Sequence, residues 1–256
     1  MAGAVVIAFA NQKGGVGKTT SAVNVAASLG ALGHKTLLVD LDPQGNATSG
    51  VGVGKKKLKN TSYEAISGVC APADAVLPTE FKNLSVMPAN MNLAAAELEL
   101  ADADDRQNAA RRIVEAVRAD YDFIIIDCPP ALGMLTVNAL TAADGVVIPM
   151  QCEYFALEGL SQLMMTIKRV KQSYNPALTI TGILVTMHNG RLNLSVQVLE
   201  ELKRYYADKL FRTVITRSVR LSEAPSFGQP ILYYDKLSKS AQQYADVAEE
   251  LVRRVR

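Results

Sequence analysis

The stretch Asn11-Gln12-Lys13-Gly14-Gly15-Val16-Gly17-Lys18-Thr19-Thr20 decides the fold of this chain. It follows an apolar run at residues 4–10 and precedes an alanine-rich segment with helical spacing at 21–32. A strand, a glycine-rich turn and a helix start, in that order, form a phosphate-binding loop, because glycines let backbone N–H groups surround an anion at the helix N-terminus. The predicted nucleotide contacts are Gln12, Lys13, Gly14, Gly15, Val16, Gly17, Lys18, Thr19 and Thr20.

Two side chains of this loop have predicted chemical roles. Lys18 reaches the β- and γ-phosphates, and the Thr19 hydroxyl ligates Mg²⁺. The general pattern G-x-x-x-x-G-K-[ST] has its first glycine at the position of Gln12, and this chain has an additional lysine, Lys13, at the loop entrance. The simpler interpretation is a glycine turn with an incidental lysine, but the flanking strand and helix favour phosphate binding.

Strand-like and helix-like segments alternate along the chain, which predicts right-handed crossovers and an α/β fold with a doubly wound, mostly parallel sheet flanked by helices. We expect one domain over residues 1–256, since no linker or repeat interrupts the pattern. Residues 50–60 are rich in glycine and lysine and predict an exposed, mobile loop. The predicted strands are 4–10, 35–40, 84–88, 123–127, 145–150, 179–187 and an edge strand at 212–216. The predicted helices are 18–32, 61–69, 93–100, 104–119, 132–143, 157–172, 195–210 and 238–255.

Three aspartates follow predicted strands at their carboxyl ends, where ligands bind in doubly wound sheets. Asp127 ends an apolar strand and fits the second acidic group near Mg²⁺; the alternative is an N-cap for the next helix. Asp42 is the candidate for orienting the attacking water, and Asp40 for supporting Mg²⁺ or the loop lysine. A purely structural pair of turn aspartates is the alternative for Asp40 and Asp42. With Lys13 and Lys18, Asp42 completes the predicted catalytic set.

The composition is that of an ordinary globular protein. It is 49% hydrophobic and 20% charged, with a net charge of +2. Its three cysteines have no CxxC spacing, so we expect reduced thiols and no metal site built from them. The first residues do not resemble a leader, and no apolar run approaches the length of about 20 residues needed to cross a bilayer. We therefore expect a cytoplasmic protein.

Five motifs in order, NQKGGVGKTT, LLVDLDPQGNATSG, IIIDCPPALG, QCEYFALEGLSQL and VRLSEAPSFGQPI, resemble the ParA/Soj chromosome-partitioning ATPases of the deviant Walker A (MinD/Mrp) class. The resemblance implies a weak ATPase that uses ATP and Mg²⁺, forms a nucleotide-sandwich homodimer, binds double-stranded DNA nonspecifically and is stimulated by a ParB-type partner. It implies that Lys13 reaches the partner subunit's ATP. Thr216 stands where the family usually has proline, which leaves the adenine contacts open. The absence of an Asn/Thr-Lys-x-Asp tetrapeptide also fits ATP rather than GTP.

Basic residues exceed acidic ones toward the end of the chain, with twelve Lys/Arg and eight Asp/Glu from Thr186 onward. Arginines in loops can present planar forks to phosphates. We therefore expect DNA contacts at Arg191, Arg217 and Arg220, of which the resemblance places Arg191 and Arg220 on the DNA-binding surface. A solvated surface role is the alternative for each. DNA binding predicts association with the nucleoid.

Two other classes of protein carry similar loops. A membrane-associated cell-division ATPase like MinD would need an amphipathic tail, and the segment 242–256 does have apolar and basic faces. It lacks the bulky apolar face of an interfacial helix, so we expect a core helix and no stable membrane association. A metabolic enzyme, such as a nitrogenase-type reductase or a small-molecule ligase, is the other alternative, but Cys128 and Cys152 do not have convincing cluster spacing.

Overall fold

A computed structural model describes residues 3–100 and 104–255. Within these residues, seven strands form one sheet in the order β3-β4-β2-β5-β1-β6-β7. Every neighbouring pair is parallel except β3 and β4, so the predicted doubly wound, mostly parallel sheet is confirmed. The strands are β1 Val5–Phe9, β2 Thr36–Asp40, β3 Leu77–Pro78, β4 Leu84–Met87, β5 Phe123–Asp127, β6 Gly145–Gln151 and β7 Thr179–Thr186.

Helices cover both faces of the sheet, and two apolar cores result. Alternation along β1 sends Val6 and Ala8 into one core and Ile7 and Phe9 into the other. Strands buried on both faces read as continuous apolar runs, which is why FIIID was recognisable. The helices are α1 Lys18–Ala31, α2 Asn46–Gly50, α3 Ser62–Ile66, α4 Leu93–Glu99, α5 Ala109–Val117, α6 Met134–Ala142, α7 Ala156–Ser173, α8 Asn193–Tyr206, α9 Val219–Glu223, α10 Ile231–Tyr234 and α11 Lys239–Val255.

The predicted edge strand at 212–216 is wrong. This segment runs beside β7 but makes only isolated bridges, Ile183 with Leu210 and His188 with Thr216. The N–H of Arg212 donates to the Glu250 carboxylate, and the N–H of Thr216 donates to a side chain of α11. The Ile215 N–H does donate to the Val185 carbonyl of β7, but the pairing is not continuous, and no regular strand forms.

Two other predictions need correction. The helix expected at 104–119 is shorter, because 3-10 turns at Arg106–Asn108 and Arg118–Asp120 flank α5. The stretch 50–60 is not uniformly a loop, since it contains the last residue of α2 and a 3-10 turn at Lys55–Lys57. By contrast, the spacing of Thr61 and Glu64 is that of a capping box, and the structure has this capping box at the start of α3.

Short elements that the sequence did not reveal, α9 and α10, surround a close backbone contact. A Cβ placed on Gly228 would lie 2.7 Å from the Cα of Gly52, and both glycines have positive φ. Only glycine permits both the conformation and the approach. The residues after α2 are therefore packed directly on the turn that follows α9.

The sheet register brings the predicted acidic residues to one level. Asp127 at the end of β5 pairs in register with Phe9 of β1 on one side and with Asp40 of β2 on the other. The phosphate-binding loop begins immediately after β1, so the loop and two aspartates meet at the carboxyl edge of adjacent strands. In the described part of the chain, no helix is long and apolar enough to span a membrane.

Candidate functional site

The glycines shape the phosphate-binding loop. Gly15 and Gly17 have φ of 74° and 82°, the left-handed region that other residues rarely adopt. Gly17 is the residue that caps the N-terminus of α1, so the unpaired N–H groups at the helix start face the loop. This geometry is that of an anion cradle, as the sequence predicts.

Three side chains from outside the glycine pattern anchor the loop, and sequence analysis missed them. Asn11 donates to the Pro149 carbonyl at 2.8 Å and accepts the Lys13 N–H. Gln151 at the end of β6 donates to the Gly15 carbonyl at 2.8 Å. Thr186 at the end of β7 donates to the Val16 carbonyl at 2.7 Å. Their position at strand ends was the available signal, but nothing in the sequence indicated which carbonyl each would bind.

The two lysines of the loop have opposite orientations. Lys18 is 6% exposed, and its ammonium donates to the Lys13 carbonyl at 3.1 Å. Burial lowers the pKa of Lys18, while the nearby charge of Asp127 opposes that effect. The Lys13 side chain is 42% exposed and forms an ion pair with Glu153. Lys18 therefore belongs to the subunit's own cradle, whereas Lys13 extends along its surface.

Asp127 is a buried carboxylate without a partner. It is fully buried, and neither of its oxygens meets hydrogen-bond geometry with any described residue. Burial raises the pKa of Asp127 well above its usual value, and the charge of Asp40 raises it further; the Thr19 hydroxyl and Lys18 oppose the shift. A buried carboxyl group must either be protonated or have its charge compensated by a cation. This is the strongest chemical indication of a cation at the site, and the alternative of a helix N-cap is not seen, because α6 begins at Met134.

Asp40 and Asp42 have different environments. Asp40 is fully buried, and its carboxylate accepts the Asp42 N–H at 3.1 Å and both the N–H and the hydroxyl of Thr48 at 2.8 Å. Burial raises the pKa of Asp40 to about 6 despite these bonds. Asp42 accepts the Gln44 N–H on one oxygen and lines the cavity beside the loop. These contacts indicate that Asp40 holds the turn that carries Asp42 in place. We therefore assign Asp40 a supporting role that acts through its hydrogen bonds to Asp42 and Thr48.

Six residues of the loop and Asp42 line one opening of about 270 Å³, which we call the loop cavity. The other predicted residues of the nucleotide and metal site, Gln12, Lys13, Val16, Asp40 and Asp127, are not among its lining residues. Mg²⁺ commonly binds through one or two protein oxygens together with phosphate oxygens and water. The unpartnered carboxylate of Asp127 and the nearby Thr19 hydroxyl fit such a site. Across residues 3–100 and 104–255, no group of three His, Cys, Asp or Glu side chains could hold a metal alone. The loop cavity is lined by Gly14, Gly15, Gly17, Lys18, Thr19, Thr20, Asp42, Asn46, Pro130 and Met187.

A second opening of about 200 Å³, which we call the side cavity, adjoins the loop. Gly17, Thr20 and Met187 line this cavity. Met187 has φ of 50°, an uncommon value for a non-glycine residue that occurs most often at functional sites. The remaining lining residues are Thr186, Ile215, Thr216, Arg217, Ser218, Leu221, Ser222, Pro225 and Tyr244.

The predicted DNA-contacting arginines are exposed but do not share one environment. The His188–Thr216 bridge brings together the segments that carry Arg191 and Arg217, and Arg217 also lines the side cavity. Arg220 lies on α9 and forms ion pairs with Glu223 at 3.1 Å and Asp235 at 3.4 Å. Arg220 is therefore partly neutralised in this structure.

The parallel sheet, the glycine loop at the end of β1 and the aspartate at the end of β5 define a P-loop nucleoside-triphosphatase. A family model described as an AAA domain matches residues 4–180. The chain is 52% identical to the sporulation initiation inhibitor protein Soj of Bacillus subtilis (strain 168), covering 96% of this chain and 97% of that protein. It is 51% identical to the chromosome partitioning protein ParA of Myxococcus xanthus (strain DK1622), covering 97% and 88%. The chain belongs to the Soj/ParA family of chromosome-partitioning ATPases.

Solved structures share the fold and show what related sites hold. Cobyrinic acid a,c-diamide synthase from Mycobacterium smegmatis, with bound ADP and magnesium, is 37% identical with a TM-score of 0.86, over 98% of this chain and 94% of that one. A putative plasmid partition protein from Borrelia burgdorferi B31, bound to AMPPNP, has a TM-score of 0.85 at 23% identity, over 98% and 100%. The second likeness concerns the fold alone. The small-molecule synthase is less similar in sequence than the Soj and ParA proteins.

Proposed function

We propose that the whole chain, 1–256, acts as one ATPase domain that binds Mg²⁺ and ATP, dimerises around the nucleotide and then binds double-stranded DNA nonspecifically. Hydrolysis, stimulated by a ParB-type centromere-binding protein, releases the DNA. The family assignment supports the partitioning role and the ATPase activity. The unpaired Asp127, the glycine cradle and the outward Lys13 support the mechanism.

Each residue of the site has a role in this mechanism. The backbone from Gly14 to Thr20 binds the phosphates, and Lys18 neutralises charge on the β- and γ-phosphates. Thr19 and Asp127 hold Mg²⁺, which supplies charge neutralisation at the transferred phosphate. Asp42 orients the attacking water, and Asp40 fixes the turn that carries Asp42.

The position of Lys13 is the observation that supports dimerisation around the nucleotide. Its carbonyl accepts a hydrogen bond from the Lys18 ammonium, while its own ammonium lies outside the loop, paired with Glu153. The Lys13 side chain is therefore directed away from its own cavity in this conformation. A flexible lysine at the loop entrance suits the triphosphate of a second copy, where an additional cation stabilises the negative charge that develops during phosphoryl transfer.

The basic surface explains why DNA binding should depend on dimerisation. Arg191, Arg217 and Arg220 provide few cations per subunit, and Arg220 already has acidic neighbours. Nonspecific affinity for DNA increases steeply with the number of phosphates neutralised. Two copies joined through ATP double that number, which gives a nucleoid-associated state that hydrolysis reverses.

The C-terminal helix argues against a membrane-bound alternative. The apolar face of α11 is already buried, with Ala241, Tyr244, Val247, Ala248 and Leu251 almost completely inaccessible. These residues join the core that also contains α1. An apolar face that packs on the sheet side of the protein is not available to a lipid surface, so we propose no stable membrane association.

Size-exclusion chromatography with light scattering tests the proposal directly. Wild-type protein with ATP and Mg²⁺ should elute as a dimer, and nonspecific duplex DNA should co-elute with it. Lys13→Ala should remain monomeric in the same buffer. Asp42→Ala should accumulate as a DNA-bound dimer, because it binds ATP without hydrolysing it.

Matched controls separate these effects from general loss of charge. Lys171→Ala removes an exposed lysine near the end of α7 and should dimerise like wild type. Asp208→Ala removes an exposed aspartate after α8 and should hydrolyse ATP normally. A Lys13→Ala protein that dimerises with ATP at the wild-type concentration would refute the proposed role of Lys13 in joining the subunits.

A further inference from the structure

The wall of the side cavity is an irregular segment, Val214 to Arg217, held by hydrogen bonds to two neighbours. On the sheet side, the Ile215 N–H donates to the Val185 carbonyl, and the His188 N–H donates to the Ile215 carbonyl, both at 2.9 Å. On the other side lies α11. Since the segment has no continuous ladder, its position depends on these individual bonds.

Gln243 supplies the bonds from α11. Its side-chain oxygen accepts the Thr216 N–H at 3.3 Å and the Thr216 hydroxyl at 3.2 Å. Its amide nitrogen donates to the Val214 carbonyl at 2.7 Å. Gln243 is 9% exposed, so water does not readily replace these partners. One amide therefore fixes the segment at two points, and the donor and acceptor pattern sets the orientation of that amide.

The identity of residue 216 makes this arrangement possible. Thr216 provides both an N–H and a hydroxyl to the same oxygen. A proline at this position would provide neither. In this chain, the hydrogen bonds between Thr216 and Gln243 therefore fix the segment 214–217. A proline would instead stiffen that segment through its ring.

We propose that Gln243 is a positioning residue for the nucleobase, because through Thr216 it sets the wall of the side cavity against which the base of ATP lies. This inference rests on the proposed function, since it requires the triphosphate in the adjoining loop. Gln243 does not touch the phosphates or the base. By holding Thr216, Gln243 sets the distance between Thr216 and the apolar side of the side cavity. Met187, Leu221 and Pro225 form that apolar side.

A comparison of two ligands isolates the base from the phosphates. Gln243→Leu should weaken Mg²⁺-dependent ATP binding about tenfold, the effect expected from losing one to two net hydrogen bonds. Its affinity for inorganic tripolyphosphate, which has no base, should be unchanged. The kcat at saturating ATP should also be unchanged, while KM rises. Isothermal titration calorimetry and steady-state hydrolysis measure the two quantities.

Neighbouring residues supply the controls. Gln242→Leu, on the exposed side of α11, removes a side chain that bonds only to Asp246 of the same helix, and should bind both ligands like wild type. Gln243→Glu retains the acceptor for Thr216 but loses the donor to the Val214 carbonyl, so it should also weaken ATP binding and leave tripolyphosphate binding unchanged. Thr216→Val removes only the hydroxyl and should weaken ATP binding about threefold. This milder variant keeps the test valid if Gln243→Leu does not fold.

The outcomes distinguish this inference from the proposed function. Equal weakening of ATP and tripolyphosphate by Gln243→Leu, or no weakening of either, would overturn the positioning role. A fall in kcat at saturating ATP with unchanged KM would also overturn it. Wild-type protein that binds neither ligand would refute the proposed function, and this inference with it.

Discussion

The aspartates at the carboxyl edge of the sheet and the arginines predicted to contact DNA differ most in their access to water. Asp40 and Asp127 are fully buried, whereas the Arg220 side chain is 58% exposed and salt-bridged. Charges in a dry site act strongly on one ligand at a fixed distance, while exposed charges act weakly and in proportion to their number. The first region therefore suits chemistry, and the second suits reversible binding to a polymer.

The largest expected effect, and the sharpest test of the buried region, is the loss of turnover in Asp42→Ala. Removing a group that orients the attacking water lowers the rate by about 10²–10⁴-fold. ATP affinity should change little, because the loop that binds the phosphates is untouched. Steady-state hydrolysis and calorimetric ATP binding check both parts. A variant that hydrolyses ATP within a few-fold of wild type would remove Asp42 from the mechanism.

The next effect concerns stability and has a defined dependence on pH. Because burial raises the pKa of Asp127 above its unfolded value near 3.8, the nucleotide-free protein loses stability as pH rises through that raised pKa. Asparagine carries no charge at this position, so the Tm of Asp127→Asn without ligand should exceed that of wild type increasingly as pH rises above 3.8 toward the raised pKa of Asp127. A difference of about 2–12 °C is expected, since leaving a buried polar group unpaired costs about 1–3 kcal/mol and each kcal/mol corresponds to about 2–4 °C at this size.

The control for this prediction is the ligand itself. Mg²⁺ and ATP should raise the Tm of wild type much more than that of Asp127→Asn, because only the wild-type carboxylate gains a cation. Thermal unfolding followed by circular dichroism measures both proteins in the same buffers. A Tm difference that is independent of pH would contradict the assignment of an unpaired carboxylate in the nucleotide-free protein.

The smallest effect is expected on the exposed surface. Arg220→Glu should reduce DNA affinity for all sequences and lower the slope of log affinity against log salt by roughly 0.9 for each DNA phosphate that the variant no longer neutralises. Glu223→Gln removes one of the acidic neighbours of Arg220 and should increase DNA affinity slightly. Fluorescence anisotropy with unrelated duplexes at several salt concentrations measures the slopes. An unchanged slope in Arg220→Glu would exclude Arg220 from the DNA surface.

Local patterns were enough to predict the central sheet and the residues that end its strands. Glycine spacing, continuous apolar runs and aspartates at strand ends depend on neighbouring residues, so the loop, Asp127 and the succession of strands along the chain were predictable from short stretches. The resemblance added the role of Lys13 and placed Arg191 and Arg220 on the predicted DNA-binding surface. The role of Asp40 was only partly predictable, because its bonds to Thr48 depend on how the following turn folds.

Long-range contacts between side chains and the backbone were not predictable in the same way. Gln151 and Thr186 bind carbonyls of the loop more than 100 residues away in sequence. The segment 212–216 has the composition of a strand, yet two of its N–H groups, those of Arg212 and Thr216, donate to side chains of α11. Such choices depend on which polar groups meet after the sheet has assembled, and a single sequence does not contain that information in a local pattern.

The contact between Gly52 and Gly228 limits how closely two segments of the chain can approach each other. Because the two backbones touch with no side chain between them, neither segment can move closer to the other. The segment at Gly52 continues from the Asp42 turn through α2, and the segment at Gly228 continues from the helix that carries Arg220. An inward displacement of either segment would therefore displace the other. The backbone contact in this way links the turn that carries Asp42 to the helix that carries Arg220.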